Sequence, residues 1–311
     1  MIRKLAPIAL LLALVGGLVF WFVTAPQYLD PKDIAAVASG DVTRGQQIFW
    51  EGGCAACHAA VGSKDDERLK LVGGLVLPSP FGNFHVPNIS QDAEDGIGTW
   101  DFASFANAVQ RGVSPQGEHY YPSFPFSSYS RMKLADVSDL YAFMKTLPAV
   151  KGKQPGHELP FPFNIRRLLG GWKFLFFKPH PVATLAADAS DQAKRGQYLV
   201  EGPGHCGECH TPRNLLGSST LSKWLSGGPN PEGKGVIPNI TGGEGGLDSW
   251  SDAQIASLLK DGFNPDFDSV GGSMTAVVAN WSHVSDEDRL AVAAYLKAVP
   301  KLADSYTKPA N

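Results

Sequence analysis

The sequence predicts an all-α fold made of two tandem copies of one small helical domain, preceded by an N-terminal membrane helix. Two observations predict the tandem copies: several segments of the 311-residue chain recur in the same order in each half, and apolar residues recur at helical spacing. An uncharged apolar run near the N-terminus predicts the membrane helix. The chain is long enough for two hydrophobic cores, since domains commonly comprise about 100–150 residues.

The composition is that of a globular protein with many turns. Hydrophobic residues make up 43% of the chain and charged residues 18%, while 34 glycines and 23 prolines indicate long irregular connections. The formal net charge is −3, and no run rich in Lys or Arg follows the first four residues. Because nucleic-acid-binding domains usually carry a clustered basic surface, the sequence argues against a nucleic-acid partner.

Residues 1–25 are expected to be a signal or membrane anchor. Arg3 and Lys4 precede the uncharged run LAPIALLLALVGGLVFWFV at 5–23. The run is long for a signal core and Pro26 disfavours cleavage after Ala25, so we expect an uncleaved anchor in the inner membrane, with a cleaved soluble periplasmic form as the alternative. Basic residues before the run predict that the rest of the chain lies in the periplasm.

All four cysteines lie in C-x-x-C pairs, and each pair is followed at once by histidine, in CAACH at 54–58 and CGECH at 206–210. C-x-x-C-H is the attachment site of c-type haem: two cysteines on one helical turn form thioethers with the haem, and the histidine ligates the iron. The sequence therefore predicts two covalently bound haem c groups. A disulfide framework or a zinc site is the alternative. The predicted covalent and proximal ligands are Cys54, Cys57, His58, Cys206, Cys209 and His210.

Repeated segments surround the two motifs. The segment TRGQQIFWEGGCAACH at 43–58 corresponds to KRGQYLVEGPGHCGECH at 194–210, and VPNIS at 86–90 corresponds to IPNIT at 237–241. A role in the haem pocket is one interpretation of the side chains that recur in both halves; these are Arg44 and Arg195, Asn88 and Asn239, and Trp100 and Trp250. For the two tryptophans, ordinary core packing is the alternative.

Each half is predicted to be a few helices around its haem. Apolar spacing predicts helices over 101–111 and 251–261, which end at glycines suited to a left-handed cap, and a closing helix follows in each half. The connection between the halves is rich in aromatic residues and is expected to pack against both of them. The predicted domains are residues 26–150 and 191–311, with the connection at 151–190.

The methionines decide between electron transfer and catalysis, because a sixth ligand closes the iron whereas an open position permits substrate chemistry. Three methionines follow Met1. Met144 falls on the apolar stripe of the closing helix and is expected to be core packing. Met132 and Met274 lie in predicted loops and are expected to be the sixth ligands of the first and second haem.

Four segments carry a resemblance to a known family: LVLPSPFGNFHVPNIS, DGIGTW, YYPSFPFSSYSRM and HELPFPFNIRRLLGGWKFLF. They resemble the cytochrome c subunits of membrane-bound bacterial alcohol, gluconate and aldehyde dehydrogenases, over about residues 40–302. The resemblance implies class I cytochrome c domains with the axial pairs His58–Met132 and His210–Met274. It also implies that single electrons pass from a dehydrogenase catalytic subunit to ubiquinone, a terminal oxidase or a soluble cytochrome.

The resemblance implies an electron-transfer subunit without catalytic residues of its own. The alternative from the residues is a di-haem enzyme, of the peroxidase or thiosulfate dehydrogenase type, with one iron open or unusually ligated. In the first half, His85 and His119 are the alternative sixth ligands, and bis-histidine ligation would lower the reduction potential relative to methionine.

Overall fold

The computed structural model describes residues 2–230, 233 and 235–306, with the side chains of residues 2–6 and 9 outside the described part. The helices up to the end of the first half are α1 (Ile2–Val23), α2 (Pro31–Ala35), α3 (Val42–Glu51), α4 (Cys54–His58), α5 (Phe102–Arg111), α6 (Phe126–Tyr129) and α7 (Leu134–Met144). Strands β1 (Val76–Ser79) and β2 (Gly82–His85) form an antiparallel hairpin between α4 and α5.

Helix α8 (Leu168–Phe176) lies in the connection, and the order of elements then repeats. The second half contains α9 (Asp191–Glu201), α10 (Gly207–His210), β3 (Gly228–Pro229), β4 (Val236–Ile237), α11 (Asp252–Asp261), α12 (Met274–Trp281) and α13 (Asp286–Ala298). The described part of the chain is mostly helical, as the sequence predicts, but the two short hairpins were not predicted, because their strands are only two to four residues long.

The helix that follows the hairpin in each half, α5 or α11, begins and ends where the sequence predicts. Asp101 is the N-cap residue of α5, and its carboxylate accepts a hydrogen bond from the Ser104 N–H. Gly112 is the C-cap residue, where φ is 58°. Helix α11 starts with a capping box and stops at Gly262, where φ is 80°. A residue with a Cβ is strained at such a φ, which explains why both helices end at glycine.

The first and last long helices of each half cross at a glycine. A Cβ added to Gly45 on α3 would overlap the Asp139 carbonyl on α7, and one added to Gly196 on α9 would overlap the Ala291 carbonyl on α13. The backbones therefore touch where the helices cross. A hydrophobic cluster that includes side chains from both halves lies around these helix pairs.

The connection between the halves contacts both of them. The Tyr121 hydroxyl in the first half donates to the Phe163 carbonyl at 2.8 Å, and the Trp172 indole donates to the Leu216 carbonyl of the second half at 2.9 Å. Near the start of the connection, the Asn83 N–H of β2 donates to the Glu158 carbonyl at 3.0 Å. These contacts tie residues 151–190 to the structure on both sides.

The predicted N-terminal membrane helix is wrong. Residues 2–23 form α1, but in the part of the chain that the structure describes no helix is both long enough and apolar enough to cross a membrane. The expectation also rested on residues 2–6 and 9, whose side chains lie outside the described part.

Replacing Gly45 or Gly196 by Ala is expected to lower the free energy of unfolding by about 1–3 kcal/mol, because the added methyl group has no room at the helix crossing. Denaturant titration followed by circular dichroism measures this loss. Gly156→Ala is the control, since nothing lies within 4 Å of a Cβ built at Gly156. Equal losses for all three variants would contradict the close crossing.

Candidate functional site

The two C-x-x-C-H motifs form short helical turns of the same kind. Helix α4 carries Cys54 and Cys57, and α10, with Cys206 as its N-cap residue, carries Cys209. With 3.6 residues per turn, cysteines three apart point to the same side. None of these four cysteines forms a disulfide within the described chain. Burial raises the pKa of Cys54 and of Cys206 to about 12, so both thiols are protonated near pH 7.

A backbone carbonyl orients the imidazole of each motif. His58 Nδ1 lies 2.9 Å from the Pro87 carbonyl oxygen, and His210 Nδ1 lies 2.8 Å from that of Pro238. A carbonyl oxygen only accepts, so Nδ1 carries the proton and Nε2 keeps its lone pair. Burial lowers the pKa of His58 to about 4 and also lowers the pKa of His210, so both rings are neutral near pH 7. A neutral imidazole whose other nitrogen is tied to a carbonyl is the usual metal-ligating arrangement.

The repeated asparagine fixes the loop that carries each proline. Asn88 Nδ2 donates to the Val150 carbonyl at 2.7 Å, and its Oδ1 accepts from the Ser90 N–H at 2.8 Å. In the second half, Asn239 Nδ2 donates to the Leu302 carbonyl at 2.8 Å, and its Oδ1 accepts from the Thr241 N–H at 2.9 Å. The asparagines thus anchor the loops that orient the histidines.

The other recurring residues have structural contacts of their own. Arg44 pairs with Asp136 and Asp139, which links α3 to α7. Arg195 pairs with Asp288 at 2.7 Å, which links α9 to α13. The two tryptophans, Trp100 and Trp250, are partly buried and pack against the hydrophobic cluster. These contacts explain why the residues recur in both halves.

The residues present fit a covalently bound haem in each half. Each site offers two thiols on one helical turn, an imidazole with its Nε2 lone pair available, and a surrounding apolar cluster that includes Cys54 and Cys206. Both halves have this arrangement, although most of the side chains around it differ between them. A zinc site is not supported, because the described residues contain no group of three or more potential metal-ligating side chains.

The two predicted methionine ligands lie in different settings. Met132 is buried, its carbonyl accepts from Gln110 Nε2 at 2.6 Å, and its Cγ lies 3.8 Å from the position of a Cβ on Gly202 in the second half. It directly precedes the N-cap of α7, just as the buried Val284 precedes the N-cap of α13. Met274 is partly buried and is the first residue of α12, where a loop was expected.

The remaining candidate side chains lie in three different settings. Met144 is 2% exposed and packs in the core cluster, as expected. His119 is buried and donates from Nε2 to the Thr24 carbonyl at 2.9 Å, so it is tied to the end of α1. His85 Nε2 lies 3.4 Å from Glu158 Oε1, at the connection.

The two motif-bearing turns touch each other, which the sequence did not predict. A Cβ on Gly53 would lie 3.6 Å from His205 Nε2, so the residues that precede Cys54 and Cys206 are in contact. Tyr129 packs edge-on against His205, with ring centroids 5.6 Å apart, and its hydroxyl donates to the Gly52 carbonyl at 2.7 Å. His205 has a φ of 39°, a strained conformation for a residue with a Cβ, where the first half has Gly53. The glycine at 53 and the histidine at 205, at matching places in the repeat, were the only sign in the sequence of this contact between the two turns.

Asn88→Ala is expected to lower the free energy of unfolding by about 1–3 kcal/mol, because it leaves buried backbone groups without partners. Hydrogen exchange should then become faster at the Ser90 amide and stay unchanged at the Thr241 amide. Asn239→Ala serves as the reciprocal control, with the faster exchange at Thr241. Unchanged exchange at both amides in both variants would contradict the anchoring role.

Comparisons with known proteins agree with this geometry. A family model described as Cytochrome c matches residues 42–148. Over 300 residues the chain is 50% identical to a protein of Cereibacter sphaeroides named diheme cytochrome c-type, which covers 96% of this chain and 99% of that relative. It is 35% identical over 272 residues to the fructose dehydrogenase cytochrome subunit of Gluconobacter japonicus. It is 37% identical over 275 residues to the cytochrome c subunit of the alcohol dehydrogenase (quinone) of Gluconacetobacter polyoxogenes.

The two dehydrogenase subunits are longer than this chain. The alignments cover 87% and 85% of this chain but only 55% and 57% of the relatives, so the chain spans just over half of their length. The similarity confirms the resemblance seen in the sequence, the two covalently bound haem c groups and a role in electron transfer. The chain belongs to the family of di-haem c-type cytochromes.

Proposed function

We propose that the chain is the electron-transfer subunit of a dehydrogenase, and that it passes single electrons from a catalytic subunit to ubiquinone, a terminal oxidase or a soluble cytochrome. The observation that carries the proposal is the pair of equivalent imidazoles, His58 and His210, each held by a proline carbonyl. The similarity to dehydrogenase cytochrome subunits supports the class of the donor. When bound, haem supplies one-electron oxidation and reduction at potentials that its axial ligands set.

The proposed sixth ligands are Met132 for the first site and Met274 for the second. Both side chains join the hydrophobic cluster that contains Cys54 and Cys206, which supports a place beside the haem sites. Methionine would raise the potentials and close both irons to substrates, in keeping with electron transfer. Because Met132 has the register of the packing residue Val284, its substitution tests the assignment most sharply.

The proposed domains are residues 26–150 and 191–311, joined by the connection at 151–190.

The chain's own residues hold the two sites close together: His205 and Tyr129 fix one motif turn against the other. The Trp50 ring of the first half also stacks on His283 of the second half, with ring centroids 4.0 Å apart. Short contacts of this kind support transfer of an electron between the halves.

The proposed location of the two domains is the periplasm. The chain begins with Arg3 and Lys4 before an apolar run, which is typical of an export signal. A dehydrogenase catalytic subunit would therefore bind these domains on the periplasmic side.

Met274→Ala is expected to remove about half of the near-infrared methionine-to-iron band of the oxidised protein and to lower the potential of one haem, because one of two irons loses its thioether ligand. Met132→Ala is expected to remove the other half. Absorption spectra and redox titration measure both effects. Met144→Ala is the control: it should cost about 2–5 kcal/mol of stability through a core cavity and leave the band intact. A full band in Met132→Ala would show that the first iron has another ligand or an open position.

Co-expression with the catalytic subunit of a dehydrogenase, chosen from the genes that neighbour this one in its genome, tests the proposed donor. Addition of that enzyme's substrate should reduce both haems within the mixing time of a stopped-flow experiment when the two proteins are together. The same substrate added to the cytochrome alone is the control. Equal rates of reduction with and without the dehydrogenase would contradict the proposed partner.

A further inference from the structure

Each half has a buried glutamate at the end of the helix that precedes its C-x-x-C-H turn. Glu51 ends α3 and Glu201 ends α9, and their exposed fractions are 3% and 2%. A buried carboxylate has to be compensated by hydrogen bonds or by an opposite charge. The two glutamates differ in how far this is achieved.

Both oxygens of Glu201 have partners. Its Oε2 accepts from the Val182 N–H at 2.6 Å, and its Oε1 accepts from the Ala183 N–H at 3.0 Å and from Gln197 Nε2 at 3.1 Å. The Tyr295 hydroxyl also donates to Oε1. Glu201 therefore anchors the connection to the second half.

Only one of the two carboxylate oxygens of Glu51 has a hydrogen-bond partner among the described residues. Its Oε1 accepts from Arg195 Nη2 at 3.0 Å, whereas its Oε2 is buried without a hydrogen-bond partner among the described residues. A buried oxygen without a donor favours the protonated carboxyl. Burial accordingly raises the pKa of Glu51 to about 7, although Arg195 opposes the rise.

Glu51 borders a polar cleft between the halves. The cleft has a volume of about 290 Å³, and Gln47 and Ile48 line it together with charged side chains. That volume is enough for several water molecules beside the Glu51 side chain. The charged and titratable groups around Glu51 come from every neighbouring element: Arg44 on α3, Lys133 and Asp136 at α7, Arg195 and Tyr198 on α9, Asp288 on α13, and His205 beside Gly52.

The neighbouring acids already have partners. Asp136 accepts from Arg44 and from the Tyr198 hydroxyl, and Asp288 accepts from Arg195 Nε at 2.7 Å. Burial and the Asp136 carboxylate raise the pKa of Tyr198, so its hydroxyl keeps its proton. His205 contacts the Gly52 backbone, and burial lowers its pKa. Glu51 is thus the group in this cluster that is poised to change its protonation near pH 7.

We propose that Glu51 is a redox-linked proton site of the first half. It takes up one proton from water in the cleft when the donor delivers one electron to that half, and it releases the proton when the electron leaves. An added negative charge next to the turn that starts at Cys54 favours the neutral carboxyl over the carboxylate. The inference rests on the proposed function only in that the first half binds a haem.

The expected signature is a midpoint potential that depends on pH. Protonation stabilises the reduced state, so one of the two potentials should fall as pH rises from about 6 to 8, because proton uptake becomes less favourable. Glu51→Gln removes the titration and keeps the shape of the side chain, so that potential should no longer change with pH. Glu201→Gln is the matched control and should keep the dependence. Spectroelectrochemical titration at several pH values measures all three proteins, and an unchanged dependence in Glu51→Gln would overturn the proposal.

Thermal unfolding separates redox linkage from simple burial. The folded-state pKa of Glu51, about 7, is above the ordinary value of 4.5, so its stabilising contribution is complete below about pH 4.5 and is lost as pH rises through 7. Glu51→Gln should therefore raise Tm relative to the wild type at pH 8 and change it less at pH 5. If this Tm effect is present but both potentials keep their pH dependence, Glu51 is only a buried acid and the proposal fails. The intact mass of each variant counts its haems and so identifies a failure of haem binding separately.

Discussion

The hydrogen bond between imidazole Nδ1 and a proline carbonyl is the constraint on which the haem sites depend. It sets the tautomer of His58 and of His210 and directs Nε2 away from the supporting loop. The loop holds its position because Asn88 or Asn239 ties it to the end of the same half. The short motif turn, the loop and the closing segment therefore act together to present one nitrogen atom.

The two halves keep this constraint and differ in what surrounds it. A glycine precedes the first motif and a strained histidine precedes the second, and the histidine uses its side chain to contact the other half. The glutamates that end α3 and α9 also differ, since Glu201 anchors the connection and Glu51 faces a polar cleft. The two halves thus share the orientation of the motif histidine, while the changed residues lie where the halves meet and give each site its own electrostatic environment.

Much of the fold and of the candidate sites could be predicted from sequence because the signals are local. The C-x-x-C-H spacing lies within one helical turn, and the glycines that end α5 and α11 indicate the left-handed φ angles found there. The proline carbonyls could not be identified, because every residue has a carbonyl and only the fold shows which one meets a histidine. Helix α12 was missed because its glycine-rich approach resembles a loop. The predicted membrane helix was wrong, since no helix among the described residues is long and apolar enough to cross a membrane.

The most direct test of the central claim, two equivalent covalent haem sites on one chain, is the intact mass of the denatured protein after expression with the haem-attachment machinery. We expect the mass of the chain plus two haem groups, and of the chain plus a single haem when both cysteines of either motif, Cys54 and Cys57 or Cys206 and Cys209, are changed to serine. A wild-type mass with only one haem, or with none, would contradict it.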